Sequence, residues 1–252
     1  MGAQGPAAVF QRVVVEPAYK AVSAAIERAI VDGALPPGAA LPTEQALSER
    51  FGVHRSTVRE AIRQVEREGL LQRGEGRRLF VCLPGAHDLA SRATRLLLLQ
   101  QTTFRELWEL ADSIEPLTAR LAAGRADDHD LALLRDNLAA TEALGLATAQ
   151  HPALVKLDMA FHALVGRASH NHALMLAREP VGLLYDPTLQ QIFGHLPQAA
   201  ARNLQAHRQI VDALANHDPA SAERWMRKHM TDFQRGFALA GLDMGTPIAQ
   251  PT

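Results

Sequence analysis

From Leu41 to Val81 the rhythm of apolar and polar positions changes from one short segment to the next, and each change predicts an element. Leu41-Pro42 precedes a segment that Thr43 can N-cap, which predicts a helix over about 43–51. Gly52 supplies a tight turn. Val58, Ile62 and Val65 then recur at three- and four-residue spacing and predict a second helix, capped by Ser56, running to about Glu68, with Gly69 as its C-cap. The stretch LLQRGEGRRLFV that follows predicts a two-stranded ribbon with a cationic, glycine-bearing tip. Helix, turn, helix and ribbon in that order make a winged helix-turn-helix.

Leu83-Pro84-Gly85 closes the ribbon, and beyond it the strand signals vanish. The periodicity predicts helices at about 87–101, 104–124, 127–146, 150–169, 171–194, 197–216 and 219–240, broken at Thr102-Thr103, Gly124/Asp127, Gly145 to Pro152, His170-Asn171, Gly194 to Pro197 and His217 to Pro219. Pro180, Gly182 and Pro187 should kink or split the helix over 171–194. The fold class is therefore mostly α: a winged helix-turn-helix domain over 10–82, a linker and first helix over 83–103, and an all-α antiparallel bundle over 104–241. Residues 1–9 and the tail after about Gly241 read as disordered.

Composition changes this picture little. At 252 residues and 47% hydrophobic content the chain can bury two modest cores, and 5% aromatic content with abundant Ala and Leu suits helices. Cys82, the single cysteine, cannot form an intrachain disulfide. It reads as a small apolar residue closing the wing, in a reducing cytoplasm. No signal peptide is visible, and the run Leu96 to Leu99 is far too short to span a membrane.

Charge matters locally. The net charge is −1, yet residues 55–78 hold 7 Arg against 4 Glu. Arg55, Arg59 and Arg63 form one exposed stripe on the second helix, opposite its apolar face. A cationic N-terminal half on such a helix suits reading a major groove, because arginine forks onto guanine or phosphate. A solvated basic face is the bland alternative.

In the helical half the informative residues are polar groups on apolar stripes, since each needs a partner when buried. Asp158 and His162, four apart, flank the stripe Leu154, Leu157, Phe161, Val165. His207 sits in the stripe Leu204, Val211, Leu214, and His229 in Ala222, Met226, Phe233, Phe237. One carboxylate and three imidazoles on three inward faces suit a borderline divalent metal, Zn²⁺ first, or Ni²⁺, Mn²⁺ or Fe²⁺. A hydrogen-bonded core network is the alternative. His54, His87, His129, His151, His170, His172, His195 and His217 fall in turns or at helix ends and read as surface or capping residues.

The segment AIERAIVDGALPPGAALPTEQALSERFGVHRSTVREAIRQVEREGLLQR resembles the N-terminal domain of the GntR family of bacterial transcription regulators. The resemblance implies that Arg55 and Arg59 are the main DNA-contacting arginines and that Thr57 lies beside phosphates. Gln45 stands where the family often has arginine. At the wing Gly76 is kept, but Arg78-Leu79 replaces Gly-Thr; Arg77 and Arg78 at the tip trade close minor-groove approach for a phosphate contact. Asp158-x-x-x-Phe161-His162 and Ala206-His207-Arg208-x-Ile210 are similar to the FCD ligand-binding domain of the FadR-type branch, whose metal-binding members use an Asp and three His. By motif position these are Asp158, His162, His207 and His229. Ala111 replaces an arginine that the family often carries near the ligand cavity; Asp112 and Ser113 are candidates to line the pocket in its place, with solvent exposure as the alternative for Asp112.

The resemblance implies a cytoplasmic, ligand-responsive regulator, most often a repressor, whose homodimer binds a palindromic operator in double-stranded DNA. An organic or sugar acid effector would enter beside the metal and favour one dimer arrangement, with 83–103 carrying the change. A metal-dependent hydrolase or lyase fused to a DNA-binding head is the rival enzyme reading, but no general base is evident beyond the candidate ligands. An architectural DNA-binding protein with a purely dimerising bundle is the other, and it would prefer aliphatics at the four inward polar positions.

Overall fold

The computed structural model describes residues 16–74, 76, 78–83, 86–145, 151–196 and 198–248; the side chains of 86–89, 91, 186–188 and 191 are not described. Residues 1–9, Arg77, Pro84-Gly85 and Pro197, which carried expectations above, lie outside that description. The chain divides into two compact units, one ending at Gly85 and the other starting at Ala86.

The first unit contains α1 (Ala18–Val31), α2 (Glu44–Phe51), α3 (Arg55–Arg67), β1 (Leu71–Arg73) and β2 (Leu79–Val81). Thr43 caps α2 by accepting from the Ala46 amide, and Gly52 ends it in the left-handed region at φ 64°. The cap of α3 differs from the sequence expectation. His54 is the N-cap and its imidazole accepts from the Ser56 amide, so Ser56 lies inside the first turn. The imidazole competes successfully because Nδ1 also lies 3.0 Å from the Ser56 hydroxyl. Gly69, at φ 78°, follows the C-cap Glu68. Val58, Ile62 and Val65 pack on Val22, Ile26, Ile30 and Leu47, as their spacing predicts. The wing strands pair antiparallel with Gln72 opposite Phe80. A Cβ on Gly74 would stand 2.6 Å from the Phe80 ring, so the ring lies where no larger residue fits. Cys82 is half-buried and its thiol donates to the Gly69 carbonyl.

The second unit is helical: α4 (Ala86–Leu99), α5 (Phe104–Arg125), α6 (Asp128–Leu144), α7 (His151–Ala168), α8 (His172–His195), α9 (Ala199–Ala215) and α10 (Pro219–Leu239). Capping boxes at Thr103/Glu106 and Asp127/Asp130 start α5 and α6, and Asp218 with Pro219 starts α10. A core of Ala119, Leu134, Phe161, Ile210, Leu214 and Met226 ties α5, α6, α7, α9 and α10 together. The helix expected over about 87–101 is α4, and it packs within this unit: α4 lies on α8, and Leu97 and Leu98 join Val181 and Leu184.

Two further expectations change. α8 runs unbroken through Pro180, Gly182 and Pro187. Proline at 180 removes one bond to the carbonyl of Leu176, but Leu176 is exposed, so water can satisfy the oxygen, while Val181 and Leu184 are buried in the core. The chain after Gly241 is also ordered to residue 248. It folds back on the start of α5, where Arg105 donates to the Met244 carbonyl and Ile248 to the Thr102 carbonyl, and Met244 is buried beside Phe104 and Phe237.

Candidate functional sites

In the first unit α3 presents the predicted stripe. Arg55, Arg59 and Arg63 are exposed, Thr57 is half-buried, and Gln45 on α2 is exposed with its amide donating to Glu49. At the wing Gly76 takes φ 70° and Arg78 is exposed. Glu44, which sequence reasoning passed over, faces the same stripe. Its carboxylate lies 2.9 Å from Arg59 Nη2 and 3.9 Å from Arg55 Nη2. Arg63 pairs with Glu60 at 3.4 Å. Arg55, Arg59 and Arg63 thus each have an acidic neighbour that a phosphate could replace.

In the second unit the structure brings Asp158, His162, His207 and His229 together, with one ligand atom from each within 4.8 Å of all the others. α7 supplies the first two, one helical turn apart. His207 of α9 stacks flat on Phe161, with ring centroids 3.6 Å apart and planes at 10°, which fixes its orientation. His229 of α10 points its Nε2 at His162 Nε2 across 3.1 Å. Asp158 Oδ1 accepts from the Asn203 amide at 2.7 Å and lies 3.4 Å from His207 Nε2.

Two buried residues absent from the sequence reading complete the site. Glu115, 5% exposed on α5, places Oε2 3.2 Å from His162 Nδ1 and accepts from Arg178 Nε at 2.8 Å. Arg178, 7% exposed on α8, brings a cation into the cavity. Glu115 carried a signal: it stands four residues from both Ala111 and Ala119 on the apolar stripe of α5. Arg178 carried none, because an arginine beside Glu179 and Pro180 reads as surface.

The electrostatics follow from burial and these neighbours. Burial works against the Glu115 carboxylate, yet His162 and Arg178 hold it down to about 2. Burial also opposes charge on His162, but Glu115 outweighs it and raises the imidazole. Burial first, then His162, push His229 down to about 3, and burial with both neighbouring imidazoles pushes His207 well below its ordinary value. Burial raises Asp158 against the pull of His162 and Asn203. The lowered His207 and His229 offer the neutral lone pairs that a metal requires, whereas a bound ion would have to displace the second proton that Glu115 favours on His162. His207 Nε2 is buried without a hydrogen-bond partner, and the donor set of three nitrogens and a carboxylate fits a borderline divalent ion. A proton on His162 Nδ1 facing Glu115 leaves Nε2 free for the cluster, the usual outer carboxylate of a ligating histidine.

The cavity beside the cluster is lined by Glu115, Asp158, His162, Arg178, Asn203 and His229 with apolar neighbours. Asp112 and Ser113 do not line it. Ser113 is exposed and its hydroxyl donates to the Glu109 carbonyl, and Asp112 is half-buried outside the lining, while Ala111 of that turn packs inward on Val181 and Met230. His151 also departs from expectation: it is buried against the edge of Phe193. Asp127, Asp130 and His170 form another grouping, accounted for by the α6 capping box and by Asp130 pairing with Arg167 and His170.

Comparison with known proteins agrees with both units. Residues 18–81 match the model of the bacterial regulatory proteins, gntR family, and residues 106–232 match the FCD domain. The chain is 28% identical over 222 residues to the Glc operon transcriptional activator of Escherichia coli K12, covering 85% of this chain and 86% of that protein. It is 29% identical to the HTH-type transcriptional regulator LutR of Bacillus subtilis, over 81% of this chain and 94% of the relative. Among solved structures, Streptococcus agalactiae GntR superposes with a TM-score of 0.61 at 27% identity, over 86% of this chain and 99% of that one. Among the described residues no helix is long and apolar enough to cross a membrane.

Proposed function

We propose a function from the premise that this chain belongs to the gntR family of bacterial regulatory proteins and carries their FCD domain. It is a ligand-responsive, DNA-binding transcription regulator, and its family is not one of enzymes. In our reading Asp158, His162, His207 and His229 hold a divalent metal, with zinc the ion taken up most readily in vitro and nickel, manganese or iron as alternatives. The observation that carries this reading is the convergence of four ligand atoms within 4.8 Å, one of them a buried imidazole nitrogen without a partner. A bound ion would supply a Lewis-acidic anchor for an oxygen ligand.

Beside it, Arg178 lines the same cavity and favours a small anion, an organic or sugar acid. Arg55, Thr57, Arg59, Arg63 and Gln45, with Gly76, Arg77 and Arg78 at the wing, form the DNA-contacting face. A cytoplasmic homodimer sets two such faces on a palindromic operator. We assign it the role of a repressor, whose effector favours the dimer arrangement that leaves the operator.

The test is an effector titration of operator binding, followed by fluorescence anisotropy, in wild type and Asp158→Ala. Effector-free operator affinity stays near wild type in the variant, while the effector midpoint rises at least tenfold. Identical midpoints would show that the ligand binds away from the metal cluster.

A further inference from the structure

A second cleft lies between α8, the start of α9 and α10 and shares Leu189, Asn203, His229 and Phe233 with the cavity beside the cluster. Its walls differ in kind from that cavity. Ile192, Phe193, Leu196, Ala199, Gly236 and Leu239 give it apolar sides, and Arg202, Asp232 and Arg235 stand as polar neighbours, with Arg202 paired to Asp232 at 2.8 Å. Along α10, His229, Phe233, Gly236 and Leu239 follow one another at spacings of four, three and three, so they form one helical stripe facing the cleft. The stripe runs for about 15 Å at the rise of an α-helix. It starts at a buried candidate metal ligand and ends at Leu239, a leucine 69% exposed to solvent. At its middle, a Cβ on Gly236 would lie 3.2 Å from Ile192 Cγ2, so the bare glycine is what lets α8 and α10 close over the cleft without filling it.

An apolar cleft that reaches the exposed Leu239 and shares Asn203, His229 and Phe233 with the polar cavity has the lining of a site for an amphipathic molecule. We infer that the effector is a carboxylic acid bearing an apolar tail, its carboxylate at the cluster and Arg178, its tail in the cleft along α10. This inference rests on the metal-adjacent site proposed above for the head group. The cluster selects the charge, and the cleft selects the length of the tail, because each methylene moved from water onto these walls contributes hydrophobic stabilisation. The shared residues His229 and Phe233 set the two parts side by side, as a head group and tail in one molecule require.

The experiment uses the full-length, zinc-loaded protein, with metal content checked by plasma mass spectrometry, and measures binding of acetate, butanoate and hexanoate by calorimetry. All three bind, and the dissociation constant falls about fourfold per added methylene. Ala199→Phe, which fills the cleft from α9 without touching the cluster, keeps acetate binding and loses the gain with chain length. Acetate binding without any gain in the wild type would overturn the tail site alone and leave the head-group site standing. A gain that persists unchanged in Ala199→Phe would overturn the placement in this cleft. Binding of none of the acids would overturn the head-group reading, and the inference with it.

Discussion

Glu44 Oε2 stands 2.9 Å from Arg59 Nη2, so the first residue of α2 holds an arginine of the exposed α3 stripe, the face we propose for DNA. The hydrogen bond from Arg59 outweighs the effect of burial and keeps the Glu44 carboxyl below its ordinary range. In the proposed DNA-binding mode, operator phosphate and Glu44 compete for the same guanidinium. Arg55→Ala and Arg59→Ala each weaken operator binding by roughly tenfold or more in gel-shift titrations. Glu44→Gln strengthens it and steepens the dependence on salt, because an arginine is released to displace one more counterion. Affinities within twofold of wild type for both arginine variants would remove α3 as the reading helix.

The same pair has a pH signature. Because the folded-state value of Glu44 is lowered from 4.5, its contribution to stability is present above that value. It is lost as the pH falls through the lowered value, where the folded carboxylate takes up its proton. The difference in melting midpoint between wild type and Glu44→Gln is thus constant from about pH 8 to pH 5.5 and shrinks below about pH 4.5. A difference that grew on acidification would contradict the ion pair.

For the cluster, purified protein binds about one divalent ion per chain, and His207→Ala or His229→Ala abolishes that occupancy and lowers the melting midpoint of the zinc-incubated protein. Plasma mass spectrometry with paired thermal melts decides it. Absence of stoichiometric metal after incubation with zinc or nickel would make the four residues a hydrogen-bonded core network.

Arg178 and Glu115 compensate one another in the interior, joined by a 2.8 Å hydrogen bond with both side chains under a tenth exposed. Arg178→Met alone leaves a carboxylate buried beside His162 and costs about 3–5 kcal/mol in denaturant unfolding. Adding Glu115→Gln removes the stranded charge and recovers most of that loss, a coupling that a double-mutant cycle reads directly. Additive losses would mean that the two act independently.

Residues after Gly241 are structural. Truncation there removes the backbone bonds to Thr102 and Arg105 and uncovers Phe104 and Phe237, where Met244 is buried. The truncated protein loses about 1.5–3 kcal/mol of stability, the cost of exposing one large apolar side chain, measured by urea unfolding. An unchanged midpoint would return the tail to the status of a loose end.

Much of the architecture was legible without coordinates because its determinants are local. The spacing of Val58, Ile62 and Val65 sets the buried face of α3, and Thr103, Asp127 and Asp218 set helix starts through bonds that reach three residues. Asp158, His162, His207 and His229 were legible as a group because each interrupts an apolar stripe, and a polar residue on a buried face needs a partner somewhere. Who that partner is depends on packing between helices. Arg178 reaches Glu115 across 63 positions of sequence, and His162 reaches His229 across 67. Only the packing of α5, α7, α8 and α10 decided that a cation enters the cavity from α8, while Asp112 and Ser113 stay out of its lining. It likewise decided that Met244, in the tail beyond Gly241, is buried. Periodicity reports which face of a helix avoids water, and the tertiary structure alone determines which faces meet and which charges they bring together.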